Sequence, residues 1–337
     1  GKGYKVFKRW EWFWEQRTWP TGERPDPSVH AHALTQLRGM LPLPQAKSAS
    51  WLPLGPYSWQ SISYNPGAGR VNCVAQDPND PNTVFVGTPS GGLWKSTDDG
   101  GTWTALITDL PTLAIGGIVI DHTNSNVVYC GTGDGDGNDA YSIGVLKSID
   151  GGATWNATGL DWSLSQTHTV RKLIMHPSDA NTLFCAANNG LWKTTDAGVS
   201  WTLVHVDGTR DVEFEPGDPT VMYACGKGFL RSDDSGNTFT SIAAGLPLVV
   251  DVNRMSIAVS PADPQVVFAL CGREDDGGYK GLYRSTDGGL TFTLRSNSPN
   301  IFGYDQAGQD SGGQSRYDMA LAVDPAARLD GRRGDVD

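Results

Sequence analysis

The chain has 337 residues, 38% hydrophobic and 19% charged, with 42 Gly, 20 Pro, 12 Trp and a formal net charge of −11. No stretch reaches the ~18 apolar residues that a bilayer-crossing helix requires, and the scattered Lys and Arg of an acidic chain offer no basic face to a nucleic acid. Gly and Pro at about 18% of positions indicate many short elements joined by turns.

Residues 1–50 differ in composition from the rest of the chain. Phe7, Trp10, Phe13 and Trp14 have i, i+3, i+4 spacing and predict an amphipathic helix, while Asp26-Pro27 starts and Gly39 stops a second one. His30 and His32 are two apart on that helix and point to different sides, so they form no metal pair. Burying an aromatic side chain of this size gains ~1.5–3 kcal/mol or more, so an arm carrying Trp10, Trp12, Trp14 and Trp19 is expected to dock. The candidates are the side of the following domain, a partner protein or an outer-membrane surface, with Phe7, Trp10, Phe13 and Trp14 making the contact. No signal peptide is visible, and the start at Gly1 without Met fits a processed or trimmed chain.

From residue 96 onwards a pattern recurs: Ser/Thr-x-Asp-x-Gly-x-Thr/Ser-Trp/Phe. Its five copies place aspartates at Asp98, Asp150, Asp196, Asp234 and Asp287, and aromatics at Trp103, Trp155, Trp201, Phe239 and Phe292. The aspartate intervals are 52, 46, 38 and 53 residues, and ~40–50 residues is the length of one four-stranded propeller blade. Before each copy runs a short strand such as Gly-Leu-Trp-Lys; further upstream, four of the repeats carry a Pro/Asp turn such as Asp77-Pro78-Asn79-Asp80-Pro81, followed by an apolar strand. One repeat therefore reads strand, turn, strand, loop, strand, hairpin, strand. In the hairpin, Ser/Thr and Asp bond turn backbone groups, Gly supplies φ > 0, and the aromatic residue anchors the turn in the blade. These aspartates are read as turn staples and not as catalytic groups.

The expectation is an all-β propeller of four-stranded blades: five full blades over about residues 70–315 and the start of a sixth at 316–325. The boundaries are 1–50 for the helical arm, 51–325 for the propeller and 326–337 for a non-repeating tail. Because the repeat stops after Asp324-Pro325, the chain reads as incomplete. Cys73, Cys130, Cys185, Cys225 and Cys271 sit in apolar runs and are read as small buried strand residues, with no zinc-like spacing.

Two further clusters carry chemistry. Arg70, Arg171, Arg210, Arg254 and Arg316 fall near equivalent positions at the starts of inner strands, where they would ring the channel mouth and favour an anionic group; the alternative is that they pair with neighbouring acids. Asp134, Asp136, Asn138 and Asp139 resemble the start of a calcium loop, which makes calcium the one cofactor considered. The loop lacks Gly at its sixth position and has Val145 where a closing Glu belongs, so it is no EF-hand, and a solvated Gly-rich loop is the alternative.

The five boxes resemble the Asp-box (BNR) repeats of sialidases, xyloglucanase-type glycoside hydrolases, sortilin-like receptors and the propeller-shaped photosystem II assembly factor, over about residues 52–325. Gly69-Arg70-Val71-Asn72-Cys73-Val74, residues 86–96 and Gly131-Thr132-Gly133-Asp134-Gly135-Asp136 resemble the sortilin-like propellers of Bacteroidetes-type surface proteins. That likeness implies an exported, cell-surface or periplasmic propeller serving as a protein- or glycan-binding scaffold without catalysis. A hydrolase of the xyloglucanase type is the alternative, its two carboxylates set across a cleft, one protonating the leaving oxygen and the other activating water. Asp211 and Asp318 stand near the starts of inner strands and are the candidates. A second alternative is a membrane-complex assembly factor. No Arg-Ile-Pro occurs, which removes the sialidase reading.

Overall fold

A computed structural model describes residues 4–18, 20–39, 69–137 and 140–326. Two helices come first, α1 (Tyr4–Thr18) and α2 (Val29–Gly39). The aromatic residues of α1 pack on one another and on cations: Phe7 on Trp10, Phe13 on Trp14, Arg17 over Phe13 and Arg24 over Trp14. Phe7, Trp10 and Phe13 nevertheless stay 43–51% exposed. Arg38 of α2 pairs with Asp109 at 3.1 Å, an exposed contact of little energetic weight.

The described residues then form five antiparallel sheets, each of four strands in chain order. The first holds β1 (Cys73–Asp77), β2 (Asp80–Gly87), β3 (Leu93–Ser96) and β4 (Thr104–Ala105). The second holds β5 (Ile115–Ile120), β6 (Val128–Thr132), β7 (Gly144–Ser148) and β8 (Asn156–Asp161). The third holds β9 (Val170–His176), β10 (Asp179–Ala187), β11 (Gly190–Thr194) and β12 (Thr202–His205). The fourth holds β13 (Asp211–Glu215), β14 (Asp218–Cys225), β15 (Phe229–Ser232) and β16 (Thr240–Ile242). The fifth holds β17 (Val252–Val259), β18 (Val267–Arg273), β19 (Tyr279–Ser285) and β20 (Thr293–Ser296).

Successive inner strands pack side by side, β1 on β5, β5 on β9, β9 on β13 and β13 on β17, so the sheets are propeller blades. The core lies between blades. Phe85 of the first meets Ile115, Ile118 and Val128 of the second; Phe184 and Leu191 of the third meet Val212 and Met222 of the fourth; Tyr223 and Phe229 of the fourth meet Met255 and Ile257 of the fifth. Each fully buried side chain of this size contributes ~1.5–3 kcal/mol, and neither sheet of a pair can bury that face alone. Cys130, Cys185, Cys225 and Cys271 are buried on the second strands and Cys73 is half-buried on β1; all five are free thiols.

All five repeat turns share one hydrogen-bond pattern. In the first, Ser96 Oγ donates to Asp98 and accepts from Gly100 N, while Asp98 accepts from both the backbone N–H and the hydroxyl of Thr102. The same bonds recur around Asp150, Asp196, Asp234 and Asp287. Four of the five box aromatics pack at the interface with the preceding blade: Trp155, Trp201, Phe239 and Phe292 each join the cluster formed there. Trp103 differs from expectation. It is 41% exposed, because no blade precedes the first one among the described residues.

The segment expected to start a sixth blade also differs. Residues 316–325 form no strand, since no second strand lies beside them among the described residues and a lone strand has no ladder. Met319 is buried and Leu321 packs against it, both on the outer side of the fifth blade with Leu270, Tyr279 and Phe302.

Candidate functional site

Antiparallel strand order separates two faces. The box turns and the Pro/Asp turns lie at one end of the blades. The loops joining second to third strands, and the crossovers between blades, lie at the other end, which carries the site.

At that end three guanidinium groups converge on one carboxylate. Arg254 Nη1 lies 2.8 Å and Arg210 Nη1 3.6 Å from Asp136 Oδ1, and Arg171 lines the same small cavity of about 70 Å³. The second blade supplies no arginine here. Its inner strand has Gly116 instead, where a Cβ would stand 2.0 Å from Val170 O, and a Cβ on Gly135 would stand 2.6 Å from Arg171 Cγ. These two close approaches let the 133–137 loop enter the mouth and carry Asp136 to the arginines. Arg171 donates to Thr209 O, yet Arg171 Nε and Arg254 Nε are buried with no partner among the described residues. Burial, with Arg210 and Arg254 beside it, pulls Arg171 down to about 9; burial, with Arg254, pulls Arg210 down to about 10. Both remain cations at neutral pH, held in a strongly positive setting.

The other two arginines of the expected ring sit at its margin. Arg70 pairs with the buried Asp134, which also accepts from Asn72, and Arg316 donates to Glu274 O. Asp134 and Asp136 therefore face guanidinium groups instead of a shared cation site; Asn138 and Asp139 lie outside the described residues. The acidic turn at 273–278 closes on itself through Arg273 and Asp276, 2.8 Å apart.

One residue further along the inner strands, Lys172 bridges Asp211 and Glu213 at 2.6 Å each. Asp211 also accepts from Ser256 Oγ at 3.0 Å and Ile257 N at 2.8 Å, so it ties the third, fourth and fifth blades together. Burial opposes the Lys172 ammonium, but Asp211 and Glu213 outweigh it and hold Lys172 above its ordinary range. Burial pushes Glu213 up, against the pull of Lys172. The expected carboxylate pair is not assembled here: Asp211 has its oxygens committed to structure, while Asp318 is exposed and donates its backbone N–H to Gln314 O. The pairing of Lys172 with Glu213 and the role of Asp136 were not anticipated; alternation along β13, which puts Asp211 and Glu213 on one face, is the signal that could have found the first.

A groove of about 630 Å³ runs over the third and fourth blades on this face. Asn188, His205, Ser241 and Asn253 give it a polar lining, Val249 and Val250 an apolar one, and it shares Arg171 and Arg210 with the channel mouth.

No family model matches the chain. It is similar to xyloglucanases. A Paenibacillus xyloglucanase is 24% identical over 306 residues, 87% of this chain and 27% of that protein. A xyloglucanase of Acetivibrio thermocellus is 25% identical over 256 residues, 72% of this chain and 28% of that protein. The crystal structure of an ancestral GH74 enzyme superposes with a TM-score of 0.59 at 19% identity, covering 74% of this chain and 32% of that one, which shows the propeller fold. The chain thus spans about a quarter of the curated relatives it matches. These relatives are named as xyloglucanases, and that overturns the expectation of a scaffold without catalysis.

Proposed function

We propose that this propeller is part of a glycoside hydrolase acting on xyloglucan or a related branched polysaccharide, with the groove over the third and fourth blades holding the polymer. The observation that carries this reading is the match to a xyloglucanase along 87% of the chain. The groove supports it: amides, an imidazole and a hydroxyl suit sugar hydroxyls, and its volume lies in the range of ligand sites, ~300–1,000 Å³. The repeated turns support reading the blades as Asp-box repeats, while the sortilin-like likeness rests on sequence segments alone. A polysaccharide does not enter cells, so such an enzyme works outside the cell. The test is incubation with xyloglucan, reading reducing ends released, beside native electrophoresis in a xyloglucan-containing gel. Released ends and retarded migration are expected; neither effect in the presence of intact, folded protein refutes the proposal.

A further inference from the structure

The mouth of the channel carries more positive charge than its surroundings consume. Among the described residues, Arg171, Arg210 and Arg254 face the single carboxylate of Asp136, which leaves two positive charges uncompensated there. The next layer, Lys172 with Asp211 and Glu213, bears one excess negative charge, so it offsets only part of this. Buried guanidinium N–H groups are not left without acceptors at no cost, yet among the described residues Arg171 Nε and Arg254 Nε have none. Beside them is a cavity of about 70 Å³, room for a few waters or for one carboxylate group in their place.

We propose that this cavity binds the carboxylate of a uronic acid borne by the glycan in the adjoining groove. The shape of the donors selects the ligand. A guanidinium presents its N–H groups in a plane that matches a carboxylate edge-on, and three of them stand around this one cavity. The groove selects the rest: Asn188, Ser241 and His205 suit the hydroxyls of a sugar ring, and Arg171 with Arg210 belongs to both spaces. An acidic saccharide would thus lie with its ring in the groove and its carboxylate in the mouth. The inference rests on the proposed glycan-binding role of the groove and adds to it a substrate class, a uronate-bearing polymer.

Calorimetric titration of the whole chain with glucuronate, glucose, acetate and a hexapeptide with a free C-terminal carboxylate separates the possibilities. Glucuronate is expected to bind, glucose at least tenfold more weakly, and added salt to weaken only the former. Arg171→Gln and Arg254→Gln should each weaken glucuronate tenfold or more, with far-UV circular dichroism reporting retention of the fold. Asp136→Asn, which removes the competing carboxylate, should tighten glucuronate and keeps the test open where an arginine variant does not fold. Equal binding of glucose and glucuronate, or arginine variants with unchanged affinity, overturns the site. Acetate binding as tightly as glucuronate, or the hexapeptide binding tenfold tighter through the same arginines, overturns the sugar assignment. Hydrolysis of neutral xyloglucan is read separately: its absence with glucuronate binding intact counts against the hydrolase reading alone.

Discussion

Replacing Asp211 by Ala tests whether one buried carboxylate holds three blades together. The change removes an ion pair to Lys172 at 2.6 Å and leaves Ser256 Oγ and Ile257 N without their acceptor. A buried donor left unsatisfied costs ~1–3 kcal/mol, and breaking a buried ion pair by removing one partner costs ~3–5 kcal/mol. Glu213 still neutralises Lys172, which keeps the total near the range for the pair alone, about 3–5 kcal/mol. At ~2–4 °C per kcal/mol for a domain of this size, the melting temperature should fall by roughly 6–20 °C. Lys172→Met should cost at least as much, because it leaves Asp211 and Glu213 facing each other with no counter-ion, and the double variant should cost less than the sum of the singles. Urea unfolding of the four proteins supplies the numbers. A loss below ~1 kcal/mol for Asp211→Ala, or additive singles, would refute the reasoning.

Three other outcomes are expected. Hydrogen bonds from Thr154 and Ser148 lower Asp150 to about 2, and the equivalent donors do the same at Asp98, Asp196, Asp234 and Asp287. Their contribution is present above the ordinary carboxylate pKa of 3.8 and lost as pH falls through about 2; replacing all five by Asn should flatten the dependence of melting temperature on pH between 4 and 2, and an unchanged slope would count against it. Phe229→Ala removes a fully buried ring packed on Phe292 and Tyr223 and should cost ~3–5 kcal/mol by urea unfolding, more than any surface change on the same blade. Gly116→Ala puts a methyl group 2.0 Å from Val170 O and should lower the melting temperature and weaken glucuronate by shifting the β9 backbone that carries Arg171; a variant indistinguishable from wild type in both would show that this approach is not required.

Helices in the arm, the five blades and the inner strands at 170–176 and 252–259 were legible because each is encoded within a few residues, by periodicity or by a turn signal. The inner strand of the second blade, Ile115–Ile120, was missed: its following turn at Asp121 contains no Pro, and Gly116 and Gly117 break the apolar run. Trp103 and the 316–325 segment departed from expectation for one shared reason. Their local sequence asks for a neighbouring sheet, and burial or strand pairing follows only where that neighbour stands.

The sequence by itself determined the repeat turns, since the bonds made by the Ser/Thr and Asp side chains of a box join residues two to four positions apart, as between Ser96, Asp98, Gly100 and Thr102. It also placed Arg171, Arg210 and Arg254 near the starts of inner strands. Only the tertiary structure decided what they face. Arg254 and Asp136 are 118 positions apart and meet because two glycines admit a loop into the channel mouth, an encounter set by how blades pack around a common axis and by no pattern along the chain.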